Sequence, residues 1–369
     1  MTAVAAPSPA LTSPALSHAL RQLAADARDV DSLGTPVAPK LRDLGEAGLL
    51  DQGVDDLLAA RPESSDLRAS AQTIAALAGE CLSTGFAVWA HRVVVDYLAR
   101  GTLDPAHPAS AETTTLLADL RRGEVVGATG MAQALKSLAG LGDLGITATP
   151  TTDGGWTLDG QVTWISNQVP GAVLVLPART PDGGGLVVWV RHGDDGLAPR
   201  HIDGLLALDA TASGTLKLEG VRIGAHQVLS TDLAGFVRAV KPSFLVLQTS
   251  FAAGLIQRSW AELEPALDRS ENSVFGAEAR ELGDQVGEFF DRWQRLAADV
   301  TAAPVRELLQ LRLDASHLAQ QVTRLELTLA GGRGYLVSSG ANRRFREAAF
   351  LPVQSPSEGH LRWELSSLA

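Results

Sequence analysis

The chain has 369 residues, 45% of them hydrophobic and 20% charged. That is enough apolar material for a sizeable core in two or three domains or one large layered unit, and it excludes a disordered chain. The net charge of -11 argues against nucleic acid or an anionic membrane surface as the main partner, since either requires a basic face.

Residues 1–15 read as a loose tail. The start, "MTAVAAPSPALTSPALSHAL", has no basic n-region, and prolines interrupt its apolar residues, so it does not resemble a signal peptide. "SHALRQLAADARDV" and "PKLRDLGEAGLL" then place leucines at helical spacing, with Gly48 as a terminator. One helical segment is predicted from Leu67 to Arg100, closing at Gly101. Its most apolar part, Ala71 to Leu98, contains Glu80, His91, Arg92 and Asp96, which suits a core helix and not a membrane span. Cys81, the only cysteine, lies in this run. It precludes a disulfide framework within the chain, fits a reducing cytoplasm, and has no basic neighbour in sequence to activate it. Residues 1–125 are thus expected to form an N-terminal helical domain.

From residue 126 to 232 the texture changes to β. "GITATPTTDGGWTLDGQVTWISN" holds short β-type runs around Asp153-Gly154-Gly155, with Asp159-Gly160 as a second turn signal. "AVLVLPAR", "GGLVVWVRH" and "GTLKLEGVRI" follow, each bounded by Gly, Pro or Asp. No helix-length segments separate these runs, so antiparallel strands are expected. Residues 233–369 return to long amphipathic segments, and three of them plus the tail predict a four-helix bundle. The fold class is therefore α+β, with helical, antiparallel β and helical-bundle domains in that order. No repeat, P-loop or zinc-type spacing occurs, and the eight histidines are scattered, so no metal site is expected.

Several segments together resemble the acyl-CoA dehydrogenase superfamily of flavoproteins, over about residues 41 to 365. "LRDLGEAGLL" is similar to the family's N-terminal helix, and "LRRGEVVGATGMAQ" to the segment entering its Thr-Glu-Pro stretch. "WTLDGQVTWISN" resembles a strand ending in Trp-Ile-Thr-Asn, "GTLKLEGVRIGAHQVL" the closing strands, and "LAGGRGY" with "RFREAAF" the C-terminal glycine turn and Arg-Asp helix. The resemblance implies FAD, or reduced FMN or FAD if the chain is a monooxygenase. It implies an electron-transfer flavoprotein or a flavin reductase as partner, and a homodimer or homotetramer.

It also implies roles for individual residues. Trp164 would pack by the isoalloxazine and the Ser166 hydroxyl would bond near flavin N5; the alternative is a Trp that merely faces the core. Thr129 and Met131 stand in the Thr-Glu-Pro segment, where backbone donors reach the pyrimidine edge, or form a plain loop. Gly331, Gly332 and Gly334 would approach the FAD of a neighbouring subunit, or only end a helix. Phe275 matches an Arg-x-Gln-Phe-Gly motif whose diphosphate-binding arginine falls on Asn272 in register, with Arg269 as the substitute if "SEN" is an insertion.

The dehydrogenases abstract an α-proton with a glutamate nine residues beyond the Arg of Arg-Asp. Counting from Arg346 reaches Ser355, while the Glu358-Gly359 pair sits three residues later. Glu358 is either a displaced base or the N3 member of a capping box with Ser355. Three functions follow: α,β-desaturation of an acyl thioester, oxygen-dependent monooxygenation with reduced flavin, and a flavin-free scaffold.

Overall fold

The structure is a computed structural model that describes residues 13–61, 65–103 and 110–368. Ser13 caps the first helix, its Oγ accepting from the Leu16 N–H, and Pro14 takes the first helical position, where a missing N–H is harmless. Helix α1 spans Pro14–Leu33, so the expected tail to residue 15 is shorter by two residues, and residues 1–12 of it lie outside the described residues. Helices α2 (Lys40–Glu46) and α3 (Val54–Leu58) are short, and Gly48 adopts φ 68° after the first of them. The segment expected as one helix is two, α4 (Arg68–Glu80) and α5 (Leu82–Thr102), because Cys81 is extended at φ -153°, ψ 108°. Small residues let the chain fold back there: a Cβ on Gly85 would stand 2.4 Å from the Ala78 Cβ. Helix α6 (Ala111–Arg121) completes this part.

Strand β1 (Gly127–Thr129) and helix α7 (Ala132–Leu138) lead into β2 (Ile146–Pro150), β3 (Trp156–Ile165), β4 (Val173–Arg179), β5 (Gly185–Arg191), β6 (Leu197–His201), β7 (Gly214–Ile223) and β8 (Val228–Ser230). The strands join in the order β6-β7-β3-β2-β4-β5-β8, with β1 beside β4. The purely antiparallel expectation is corrected: β1 and β2 run parallel to β4. A parallel pair needs a long crossover, and the chain between β1 and β4 supplies one. Asp159-Gly160 is also not a turn. It is a bulge within β3, where Gly160 has φ 141° and a Cβ would lie 2.1 Å from the Gly145 carbonyl oxygen. Val173, Val175, Val187 and Trp189 on one face of β4 and β5 join the helical core, while Leu174, Leu176, Val188 and Val190 join the sheet's own core. Both faces are covered, which is why these strands read as unbroken apolar runs.

The last part comprises α8 (Leu233–Leu263), α9 (Gly276–Ala298), α10 (Val305–Gly334), α11 (Gly340–Ala348) and α12 (Glu358–Ser367), so the tail is two short helices instead of one. The stretch Leu233–Asp268 is long and apolar enough to cross a membrane by length and composition, yet 83% of its most apolar window is buried inside the protein. Helices α4 and α8 cross closely. A Cβ on Gly254 would stand 1.9 Å from the Ala75 carbonyl oxygen. Gly254→Ala is therefore expected to lower stability by roughly 1–3 kcal/mol, measurable as a drop in the midpoint of thermal or urea unfolding; an unchanged midpoint would contradict this packing.

His91 ties β1 to the helices. Its Nε2–H donates to the Leu120 carbonyl (2.9 Å), and its Nδ1 accepts from the Gly127 N–H (2.9 Å). Burial pushes this imidazole down to about 4 from the ordinary 6.5. The unfolded chain thus takes up a proton below pH 6.5 that the folded chain refuses. The stabilisation is fully present above pH 6.5 and is lost as pH falls towards 4, by roughly 3 kcal/mol in all. His91→Gln is expected to flatten the decline of the urea midpoint over this interval; an unchanged slope would remove His91 as its source.

Candidate functional site

Where α5, β1, the end of β3, α8 and the loop after α11 meet, they enclose a cavity of about 530 Å³, within the range of small-molecule sites. Its apolar wall is an aromatic cluster. Phe86 lies 5.3 Å from Trp89 and meets Phe350 edge-on at 5.2 Å, and Trp89 meets Phe244 edge-on at 5.2 Å. The buried Trp89 indole N–H has no partner among the described residues, so this lining residue keeps an unused donor.

Another part of the lining is hydroxylic. Thr129 comes from the end of β1, Ser166 from the end of β3, and Thr211 and Ser213 from the segment before β7. The loops are held together by backbone bonds: the Asn167 N–H donates to the Thr211 carbonyl (2.8 Å) and the Gln168 N–H to that of Ala212 (3.2 Å). Tyr97 approaches Thr129, with 3.5 Å between hydroxyl oxygens, and burial raises the Tyr97 pKa, so it stays a neutral phenol. Trp164 lines the cavity and is 56% exposed, which places it at the mouth with the still more open Leu206 and Val353.

Among the described lining residues Arg346 is the one charged group, and it is already engaged. It forms an ion pair with Asp31 of α1 (2.9 Å) and donates to the Leu206 carbonyl (3.0 Å). The loop after α11 rests on Arg312, a fully buried guanidinium with no carboxylate partner among the described residues. Arg312 donates to Gln248 Oε1, the Leu351 carbonyl and Gln354 Oε1, while Gln248 donates to the Ser355 carbonyl (2.8 Å). Burial brings the Arg312 pKa down to about 10, so it remains charged at neutral pH.

Of the residues singled out in the sequence, the structure brings Thr129, Trp164 and Ser166 into this cavity. Met131 is beside it and not in it: its side chain is buried, and its N–H donates to Thr129 Oγ1 (3.4 Å). Arg269 and Gly334 line a different cleft of about 910 Å³ between α1, α8, α10 and α11, which shares no lining residue with the cavity. In it Arg258 pairs with Glu80 and Glu262, and Arg344 with Glu326. Arg28, Arg269 and Arg333 have no ion-pair partner among the described residues. Gly331, with φ 60° and ψ -148°, breaks the helical path of α10, and it and Gly332 are exposed outside the cleft lining. Phe275 packs half-buried on the core. Asn272, at the motif's arginine position, is turned inward and donates to the Ala266 and Leu329 carbonyls.

The capping box of Ser355 and Glu358 does not form. The chain turns at a cis Ser355–Pro356 bond, Ser357 is the N-cap with its Oγ accepting from the His360 N–H, and Glu358 is the first residue of α12. Ser355 lines the cavity and Glu358 does not. Glu358 pairs with His317 (3.1 Å) and Arg362 (2.8 Å), which hold its carboxyl below the usual carboxylate range. A proton-abstracting carboxylate in an apolar pocket would be shifted the other way. The sequence reading missed Thr211, Ser213 and Arg312. Only Arg312 carries a signal, as a charge on the apolar stripe of Leu308, Leu311 and Ala315.

No family model and no curated protein matches the sequence. Solved structures do match in shape. Butyryl-CoA dehydrogenase from Megasphaera elsdenii superposes with a TM-score of 0.81 at 16% identity, covering 96% of this chain and 98% of that one. A glutaryl-CoA dehydrogenase from Mycobacterium smegmatis in complex with FADH2 gives 0.80 at 16% identity, over 97% and 95% of the two chains. Dibenzothiophene monooxygenase from Paenibacillus sp. A11-2 gives 0.73 at 16% identity, over 95% of each. Over the 95–97% of the chain that these structures cover, it has the fold of the acyl-CoA dehydrogenases.

Proposed function

We propose that the chain is a flavin-dependent oxidoreductase whose reaction takes place in the 530 Å³ cavity. The observation that carries this reading is the meeting of Trp164, Ser166 and Thr129 with an aromatic wall at one cavity in this fold. A flavin ring needs an apolar wall and a few placed polar groups, and this lining fits it. Phe86, Trp89 and Phe350 exclude water, Thr129 and Ser166 give the polar contacts, and the Trp89 N–H offers an unused donor. Bound there, flavin supplies the two-electron chemistry, as FAD or as reduced FMN or FAD delivered by a reductase.

The fold supports α,β-desaturation of an acyl thioester, as performed by the dehydrogenases it resembles. A second reading, monooxygenation of a neutral apolar substrate, is favoured by a particular observation. Desaturation requires a base at the α-carbon. Ser355 stands where that base is expected, no Asp or Glu is among the described lining residues, and Glu358 is held elsewhere by His317 and Arg362. Monooxygenation draws on reduced flavin and oxygen and places no such demand, so it is the better match to this cavity. The partner is then a flavin reductase; for desaturation it is an electron-transfer flavoprotein. A cytoplasmic setting is proposed from the single, buried, reduced Cys81.

With chemically reduced FMN and oxygen, a neutral aromatic compound is expected to be converted to an oxygenated product, with correspondingly less hydrogen peroxide released per flavin oxidised. Acyl-CoAs are expected to leave protein-bound oxidised flavin unbleached without oxygen. Glu358→Gln is expected to retain activity near wild type; a loss of ~10²–10⁴-fold, the scale of a positioned general base, with anaerobic bleaching by an acyl-CoA in the wild type would establish desaturation instead.

We also propose a closed homodimer or homotetramer. Tyr335, Leu336 and Val337 are exposed in succession beside the arginine-lined cleft, an apolar patch at the turn that in the resembling family reaches a neighbour's cofactor. The unpaired Arg28, Arg269 and Arg333 would there meet the diphosphate of an FAD. Light scattering is expected to give at least twice the monomer mass, and Leu336→Glu to lower it; a monodisperse wild-type monomer would refute the assembly.

A further inference from the structure

Three hydroxyls lie in a row along the cavity wall. Ser166 Oγ is 2.6 Å from Ser213 Oγ, Ser213 Oγ is 2.7 Å from Thr211 Oγ1, and Thr211 Oγ1 is 2.8 Å from the Leu208 carbonyl oxygen. A carbonyl oxygen can only accept, and each hydroxyl has one proton to give. Thr211 therefore donates to Leu208, which leaves Ser213 to donate to Thr211 and Ser166 to donate to Ser213. The chain of donors is fixed from its far end, and Ser166 has no proton left for the cavity. It presents lone pairs alone.

The backbone around this row is strained. Among the described residues, four non-glycine residues have positive φ, and three of them flank the row: Asn167 (61°), Leu208 (70°) and Ala212 (47°). Such conformations persist where surrounding structure imposes them, and they cluster at working sites. Here they turn the Leu208 carbonyl onto Thr211 and dock the two loops through the Asn167 and Gln168 N–H groups.

We infer that the Ser166–Ser213–Thr211 row makes Ser166 an acceptor-only contact that selects reduced flavin, which carries a proton on N5, over oxidised flavin, whose N5 offers a lone pair. This rests on the flavin reading of the cavity. With a flavin bound so that N5 faces Ser166, the hydroxyl would accept from N5–H in the reduced form and oppose a lone pair in the oxidised form. Thr211 and Ser213 are positioning residues that act through Ser166. The consequence suits an enzyme that receives its flavin already reduced.

The test is anaerobic titration of the protein with oxidised FMN and with chemically reduced FMN, followed by tryptophan fluorescence. Reduced FMN is expected to bind wild type about tenfold more tightly, the order of one matched hydrogen bond, which raises the midpoint potential of bound flavin by about 30 mV. Ser213→Ala removes the acceptor of the Ser166 proton, and there the preference is expected to vanish or invert, with oxidised FMN binding more tightly than in wild type. Thr211→Val removes the acceptor that fixes the donor direction, lets Ser213 donate to Ser166 instead, and is expected to diminish the preference. Thr211→Ser keeps the row and is expected to keep the preference. A purely structural role would weaken both redox forms alike. Binding of both forms to wild type without preference, or an undiminished preference in both row-breaking variants, overturns the inference and leaves the flavin reading intact. Failure of wild type to bind either form overturns both.

Discussion

The site depends on one buried amide. Asn167, at the end of β3, donates from Nδ2 to the Ala87 carbonyl on α5 (2.9 Å) and to the Gly127 carbonyl on β1 (3.0 Å). Its own N–H donates to Thr211, so one residue joins a helix, two strand ends and the loop before β7. It does this from a left-handed backbone, which Asn tolerates better than most residues because its short polar side chain bonds locally. Each buried bond contributes modestly on its own, but a lost partner leaves a buried carbonyl unsatisfied. Thr129, Ser166 and the hydroxyl row come to one cavity because Asn167 holds their backbones there.

The order of the layers was legible in the sequence, as were three of the residues that line the cavity, Thr129, Trp164 and Ser166. Periodicity distinguishes helical from β segments over long stretches, and the Trp-Ile-Ser-Asn ending of β3 led directly to Trp164 and Ser166. It missed features that depend on a single residue's backbone. The extended Cys81 between two helices, the bulge at Gly160 and the inward turn of Asn272 leave no periodic trace. The Ser-x-x-Glu spacing suggested a cap two residues too early, because Ser357 competes with Ser355 for the same role and the geometry of the turn decides between them. Thr211 and Ser213 read as ordinary loop residues in "DATASG" until Leu208 and Ala212 are seen to bend the chain around them.

Charge is distributed between the two concavities in a way that separates their chemistry. The cavity keeps Arg346 engaged by Asp31 and Arg312 behind a layer of amides, so a ligand there meets apolar groups and hydroxyls. The cleft neutralises its carboxylates and leaves three guanidiniums available, which suits an anionic phosphate group and not an apolar ring. A flavin nucleotide has one end of each kind. On the proposed reading, the cavity suits the ring of a flavin and the cleft suits the phosphates of a neighbouring subunit's cofactor.

The most direct test of this account is a crystal structure of the protein soaked anaerobically with reduced FMN. The expected result is an isoalloxazine in the cavity beside Trp164, with N5 within hydrogen-bond distance of Ser166 Oγ and the Asn167 bonds intact. Flavin bound elsewhere on the chain, or a cavity that stays filled with solvent at saturating FMN, would contradict it.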